Sequence, residues 1–271
     1  MLEFNTDNGL ISETAMIAPV PLTKVRDEFS KLVKLRIAGA ELDELTLHRI
    51  EKVGKEGITV DPVVAYQLLG VAASCRWDRD GVDRYFGLAI DSGADHTGIA
   101  NYSRSLCDIN ELSAAADQLE IASGLAPESL LYLNAAITNR IGAGEWSRAR
   151  ELFHVLIQRT TNLDPDTKSI LDVIEFAYSI GIREETIRAI LTTALRFLTE
   201  RRVRFIGLGR DTDRIPGDEC VYIDMYIGAS REESARLDDE LTPILFSEIG
   251  DLQLSRFGFS INSYPEAHES N

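Results

Sequence analysis

The residues best suited to chemistry gather late in the chain, where Arg201, Arg202, Arg204, Arg210 and Arg214 place five arginines within fourteen residues. A guanidinium presents a planar fork of donors that matches phosphate and carboxylate oxygens. Arg202, Arg204, Arg210 and Arg214 are therefore candidates for a patch that receives a phosphate or an acidic partner. Asp211, Asp213, Asp218 and Glu219 share the stretch and can neutralise it internally. With Asp224 they also form an acidic set, of which Asp211-x-Asp213 has the look of a fragment of a divalent-metal site. A nucleotidyl-transfer site would want a Gly-Ser turn ahead of an Asp-x-Asp strand, whereas Gly228-Ala229-Ser230 follows its strand with no such pair behind it. Gly207-x-Gly209 lacks the third glycine and the helix of a dinucleotide loop. The histidines His48, His96, His154 and His268 are scattered without a ligand pair. Cys75, Cys107 and Cys220 are odd in number, far apart and outside any C-x-x-C spacing, which fits neither a disulfide framework nor zinc. No serine or cysteine stands in a nucleophile elbow. The sequence thus assigns no catalytic residue, no metal ligands and no cofactor. An enzyme reading survives as an alternative in which a C-terminal nucleotide- or metal-binding domain is regulated by the rest of the chain.

Charge narrows the choice of partner. The 44 acidic against 28 basic residues give a formal charge of −16, which argues against nonspecific attraction to nucleic acid or to an anionic membrane. A nucleic-acid-binding regulator working through Arg201–Arg214 is kept as a second alternative, because the local patch runs against the global sign. No apolar stretch approaches the roughly 18 residues that a membrane helix needs, the N-terminus lacks the basic and apolar regions of a signal peptide, and unpaired thiols fit a reducing compartment. The expectation is a cytoplasmic protein.

The elements that must position these residues are mostly helices. Leu22, Val25, Phe29, Leu32 and Val33 recur at helical spacing, and Leu42, Leu45, Leu47 and Ile50 begin a second run ending near Gly54 and Gly57. Asp61-Pro62, an N-cap followed by proline at the first helical position, opens Val63–Cys75. A turn at Trp77–Gly81 leads to Val82–Ser92. Further helices are expected over Ile99–Ile109, Leu112–Ser123, Leu130–Ile141 and Trp146–Arg159. Asp164-Pro165 then opens a run to Ile180, and Glu184–Arg201 follows. Beyond that the period changes from helix to strand. Val203–Leu208 is β-rich, Gly209–Cys220 reads as a polar loop, and Val221–Ile227 alternates with Val221, Ile223, Met225 and Ile227 on one face. Arg231–Ile249 is helical by the spacing of Leu237, Leu241, Ile244, Leu245 and Ile249, with Pro243 expected to kink or split it. Phe257, Phe259 and Ile261 give a third strand.

Glu111-Leu112-Ser113-Ala114-Ala115 and Glu145-Trp146-Ser147-Arg148-Ala149 lie 34 residues apart. Small residues stand where paired helices must approach (Gly70, Ala89, Ala115, Ala136 and Ala149), with Tyr66, Tyr85, Phe86, Tyr102, Tyr132 and Phe153 between neighbours. In these features the stretch from about Asp61 to about Pro165 resembles the tetratricopeptide repeat family. It departs from that pattern in a first spacing nearer ~31 residues than the expected ~34 and in having no proline after Ser92. The resemblance implies an αα-hairpin solenoid whose first helices line a peptide- or protein-binding groove, and it implies no catalysis. On that basis Gln67, Asn101, Arg104, Asn134, Thr138 and Arg140 are candidate groove residues. Trp77 and Trp146 are expected to plug the junctions between repeats.

The expected fold is mostly α: a flexible arm over 1–20, a helical repeat domain over 21–201, a small α+β (β-β-α-β) domain over 202–264 and a tail over 265–271. The expected function is a non-catalytic interaction scaffold or adaptor that binds a protein or peptide partner.

Overall fold

The computed structural model describes residues 22–37, 42–160, 165–249 and 256–264. The N-terminal arm, the C-terminal tail and the capping role expected of Asp164 fall outside them. Ten helices come first: α1 (Leu22–Ile37), α2 (Glu44–Gly57), α3 (Pro62–Cys75), α4 (Arg79–Asp91), α5 (His96–Cys107), α6 (Leu112–Leu125), α7 (Leu130–Gly142), α8 (Trp146–Arg159), α9 (Pro165–Ser179) and α10 (Glu184–Glu200). A hairpin of β1 (Phe205–Asp213) and β2 (Cys220–Ile227), then α11 (Arg231–Ile249) and β3 (Phe257–Ser263), complete the described elements.

Aspartates start several of these helices. Asp43, Asp61, Asp78 and Asp95 each accept hydrogen bonds from backbone N–H groups of the first turn, so part of the acidic composition serves to satisfy helix N-termini and complement their dipoles. Asp78 and Asp95 begin α4 and α5 three residues earlier than apolar periodicity indicates.

The helices pack in successive pairs, and from α3 on the pairs recur with a regular period. First helices begin at Pro62, His96, Leu130 and Pro165, which are 34, 34 and 35 residues apart. The spacing of ~31 expected between the first clear repeats is not the spacing of the helices. Side-chain bonds recur at nearly the same offset: Asn101 Nδ2 donates to Gln67 Oε1 at 2.7 Å across 34 residues, and Asn139 Nδ2 to Cys107 Sγ at 3.2 Å across 32. Gly70 shows how tightly a pair closes. A Cβ there would stand 2.5 Å from the ring of Phe86, so the missing side chain lets α4 lay that ring on α3. The ring is fully buried and stacks on Tyr102 of α5, with centroids 5.0 Å apart. One aromatic thereby joins three helices, and its burial contributes about 1.5–3 kcal/mol. Trp146 is buried at the start of α8 and donates its indole N–H to the Ile141 carbonyl at 3.2 Å.

The pairing is asymmetric. The backbones of α1, α3 and α5 approach one another directly, while those of α2, α4 and α6 do not to the same extent. The side-by-side approach of first helices runs from α1 to α5 and does not extend to α7.

At the C-terminal end, β1 pairs antiparallel with β2, and β2 pairs parallel with β3, so α11 is the crossover that a parallel pair requires. Val221, Ile223, Met225 and Ile227 are buried together with Leu237, Leu241 and Leu245 of α11 and Phe257 and Ile261 of β3. The sheet is therefore covered on one face, and it shares one core with helices α6–α10. Two expectations are corrected here. Helix α11 runs unbroken through Pro243, with buried leucines before and after the proline holding it to the sheet. Strand β1 continues to Asp213 rather than ending near Leu208. Its polar half is held by pairing with β2, and Gly209 leaves room for Tyr226, whose ring a Cβ would meet at 2.9 Å.

Candidate functional site

Four charged side chains from distant parts of the chain meet at the turn after α5. Asp108, almost fully buried, is the centre. Arg36, in the last turn of α1, donates to Asp108 Oδ2 from Nε at 3.2 Å and lies 3.0 Å from it through Nη2. Arg104, one helical turn before Asp108, and Arg204, just ahead of β1, bring their Nε atoms to 3.6 and 3.7 Å from Oδ1. Side-chain exposures of 4% for Asp108, 10% for Arg36, 24% for Arg204 and 62% for Arg104 grade the cluster from a dry centre to a wet rim. Burial, with Arg36 and Arg104 adding to it against the pull of Asp108, holds the Arg204 guanidinium below its usual range. Cys75 sits in the same field, its thiol pushed up by burial and eased by Arg36. A cavity of about 190 Å³ opens here, lined by Val33 and Arg36 of α1, Val71 of α3, and Asn101, Arg104, Ser105 and Asp108 at α5.

The groove candidates are dispersed. Asn101 and Arg104 line the cavity. Gln67 is buried and bonded to Asn101, so it joins α3 to α5. Thr138 is exposed and Asn134 half-buried on α7, where the Thr138 hydroxyl donates to the Asn134 carbonyl at 3.1 Å. Arg140 is buried and occupied by Asp117, Glu120 and Glu145 at 2.5, 2.6 and 2.5 Å, which ties α6, α7 and the start of α8 together.

The arginines of 201–214 do not form one patch. Arg202 is exposed in the left-handed region with φ 55°. Arg204 turns to Asp108, Arg210 lies on β1 opposite Ile223, and Arg214 pairs with Asp172 and lies 4.5 Å over the Phe176 ring. The acidic set is likewise drawn into local bonds. Asp224 accepts from Ser260 Oγ at 2.6 Å and Asn262 Nδ2 at 3.2 Å, Asp211 from the Thr212 N–H and Asp213 from the Ile215 N–H. Among the described residues no three His, Cys, Asp or Glu side chains are grouped to hold a metal ion.

Arg104 and Arg204, which sequence reading assigns to separate sites, thus share one carboxylate. Arg36 and Asp108 escape sequence reading, since each looks like an ordinary charge near the end of a helix.

No family model, curated protein or solved structure matches the chain. Among the described residues no helix is long and apolar enough to cross a membrane.

Proposed function

We propose that the chain is a non-catalytic interaction scaffold of the tetratricopeptide kind, whose layer of first helices binds a protein or peptide partner. The supporting observation is the direct side-by-side approach of α1 to α3 and of α3 to α5, which makes a surface from three successive pairs with a cavity opening among them. The period near 34 residues and the close helix approach at Gly70 favour the same kinship. A groove built on rigid helices suits recognition, because little order has to be gained on binding.

Site-specific photocrosslinking tests this in the full-length chain. A photoreactive residue at Val33 of α1 or Arg104 of α5, both at the cavity, should capture the same partner band from native lysate, while one at the exposed Ile121 of α6 should not. Capture through Tyr222 of the sheet alone, or equal capture from every position, would overturn the assignment.

A further inference from the structure

We propose that the Arg36, Arg104 and Arg204 cluster around Asp108 is a binding site for a phosphoryl dianion, either free phosphate or the phosphate of a monoester. The inference is independent of the partner reading above, since it rests on charge and space at one cavity.

The first argument is the local balance of charge. At three other centres the carboxylates outnumber the arginine: Arg140 faces Asp117, Glu120 and Glu145, Arg76 faces Glu44 and Glu51, and Arg236 faces Glu233 and Glu240; Arg26, Arg196 and Arg214 pair one to one with Asp61, Glu248 and Asp172. At Asp108 the ratio inverts, with three guanidinium groups on one carboxylate, in a chain whose net charge is −16. Two positive charges are left over, with Arg36 and Arg204 largely out of water, where an unmatched charge is costly, and Arg104 at the rim.

The second argument is an unused donor. The Nε of Arg204, 3.7 Å from Asp108 Oδ1 and next to the cavity rather than in its lining, is buried and makes no hydrogen bond, although buried donors are almost always satisfied. The third is room. The cavity of about 190 Å³ is lined by Arg36, Arg104, Asn101 and Ser105, which carry hydrogen-bond donors, and by Val33, Val71 and the Asp108 carboxylate, which do not. It lies below the roughly 300–1,000 Å³ of pockets that enclose whole small molecules, so it suits a single anionic group. A carboxylate would leave one charge unmatched. A doubly charged phosphoryl group cancels the excess and offers oxygens to several guanidinium forks at once.

The test is isothermal titration calorimetry of the full-length chain at about pH 8, above the second phosphoryl pKa, at constant ionic strength. Inorganic phosphate, O-phosphoserine and acetate are the titrants. Saturable binding of phosphate, phosphoserine or both, with none for acetate, is expected. Tighter binding of phosphoserine would assign the site to a monoester, and tighter binding of phosphate to the free ion. Arg104→Gln, at an exposed position, should fold normally by circular dichroism and raise the Kd at least tenfold. A thermal shift that saturates at millimolar phosphate in the parent chain and vanishes in R104Q would separate binding from the general stabilisation by such salts at high concentration. Phosphate and phosphoserine behaving like acetate, or R104Q binding as tightly as the parent, would overturn the proposal.

Discussion

Asn110→Ala should loosen the start of β1 from the helical pairs. Asn110 stands in the turn between α5 and α6 with φ 64° and is buried. Its Nδ2 donates to Thr199 Oγ1 at 3.2 Å and to the Val203 carbonyl at 2.9 Å, and its Oδ1 accepts the Phe205 N–H at 2.8 Å. Three hydrogen bonds at about 1 kcal/mol each and about 1–2 kcal/mol for holding alanine in the left-handed region give a loss of roughly 4–5 kcal/mol. Asn110→Gly removes the same bonds without the backbone strain and should cost about 1–2 kcal/mol less than alanine. Urea unfolding measures the total. Hydrogen exchange measures its location, and in N110A the amides of Phe205–Leu208 should lose protection before those of α3 and α4. A loss below about 1 kcal/mol for both variants, smaller than a single typical hydrogen bond, or exchange that rises evenly along the chain, would refute the idea that this side chain pins the two parts together.

Gly70→Ala and Gly87→Ala should have opposite signs. A Cβ at Gly70 meets Phe86 at 2.5 Å whereas one at Gly87 meets nothing within 4 Å, so urea unfolding should show a loss of about 1–2 kcal/mol for the first and a gain of up to about 1 kcal/mol for the second. For Glu120, burial raises the carboxyl, but hydrogen bonds from Arg148 and Arg140 outweigh it and hold the folded pKa below the ordinary value. Its contribution is then fully present above the unfolded pKa of about 4.3 and is lost as pH falls through the folded one; urea midpoints across this range should drop less steeply in Glu120→Gln than in the parent. Burial pushes the Cys107 thiol up to about 11, so at mildly alkaline pH iodoacetamide should label Cys107 far more slowly than after unfolding, as read by peptide mass spectrometry.

The helices were legible because their apolar faces and their caps announce themselves locally. Trp146–Arg159 and Arg231–Ile249 occupy the spans that periodicity gives, and Val221–Ile227 alternates as a strand buried on one face must. What failed was local reading of residues whose role is set by a neighbour. The polar half of β1 carries Gly209, Asp211 and Asp213, all poor strand formers, and becomes a strand because β2 supplies the ladder. Asp78 and Asp95 look like turn residues until the N–H groups they satisfy are in place. The candidate site was legible only in fragments. Arg104 and Arg204 stood out by type, but nothing near Asp108 in sequence marks it as their common centre, because Arg36 and Arg204 arrive from the two ends of the helical array.

The turn after α5 does two jobs that depend on each other. Asp108 draws in the guanidinium of Arg204, and Asn110, two residues on, fastens the backbone on either side of that arginine through Val203 and Phe205. Between Thr199 and Arg204 the chain must reverse from α10 into β1, and it does so with Arg202 at positive φ, a conformation that costs a non-glycine residue on the order of 1–2 kcal/mol. The turn is closed by backbone bonds from the Arg202 N–H to the Thr199 carbonyl and from the Val203 N–H to the Leu198 carbonyl, and the three bonds of Asn110 tie it to the turn after α5. The strained reversal, in turn, aims Arg204 back at the helices rather than along the strand. The surplus positive charge around Asp108 thus sits beside the contacts that hold the start of β1 to the turn after α5, with the Arg204 backbone fixed on both sides by Asn110.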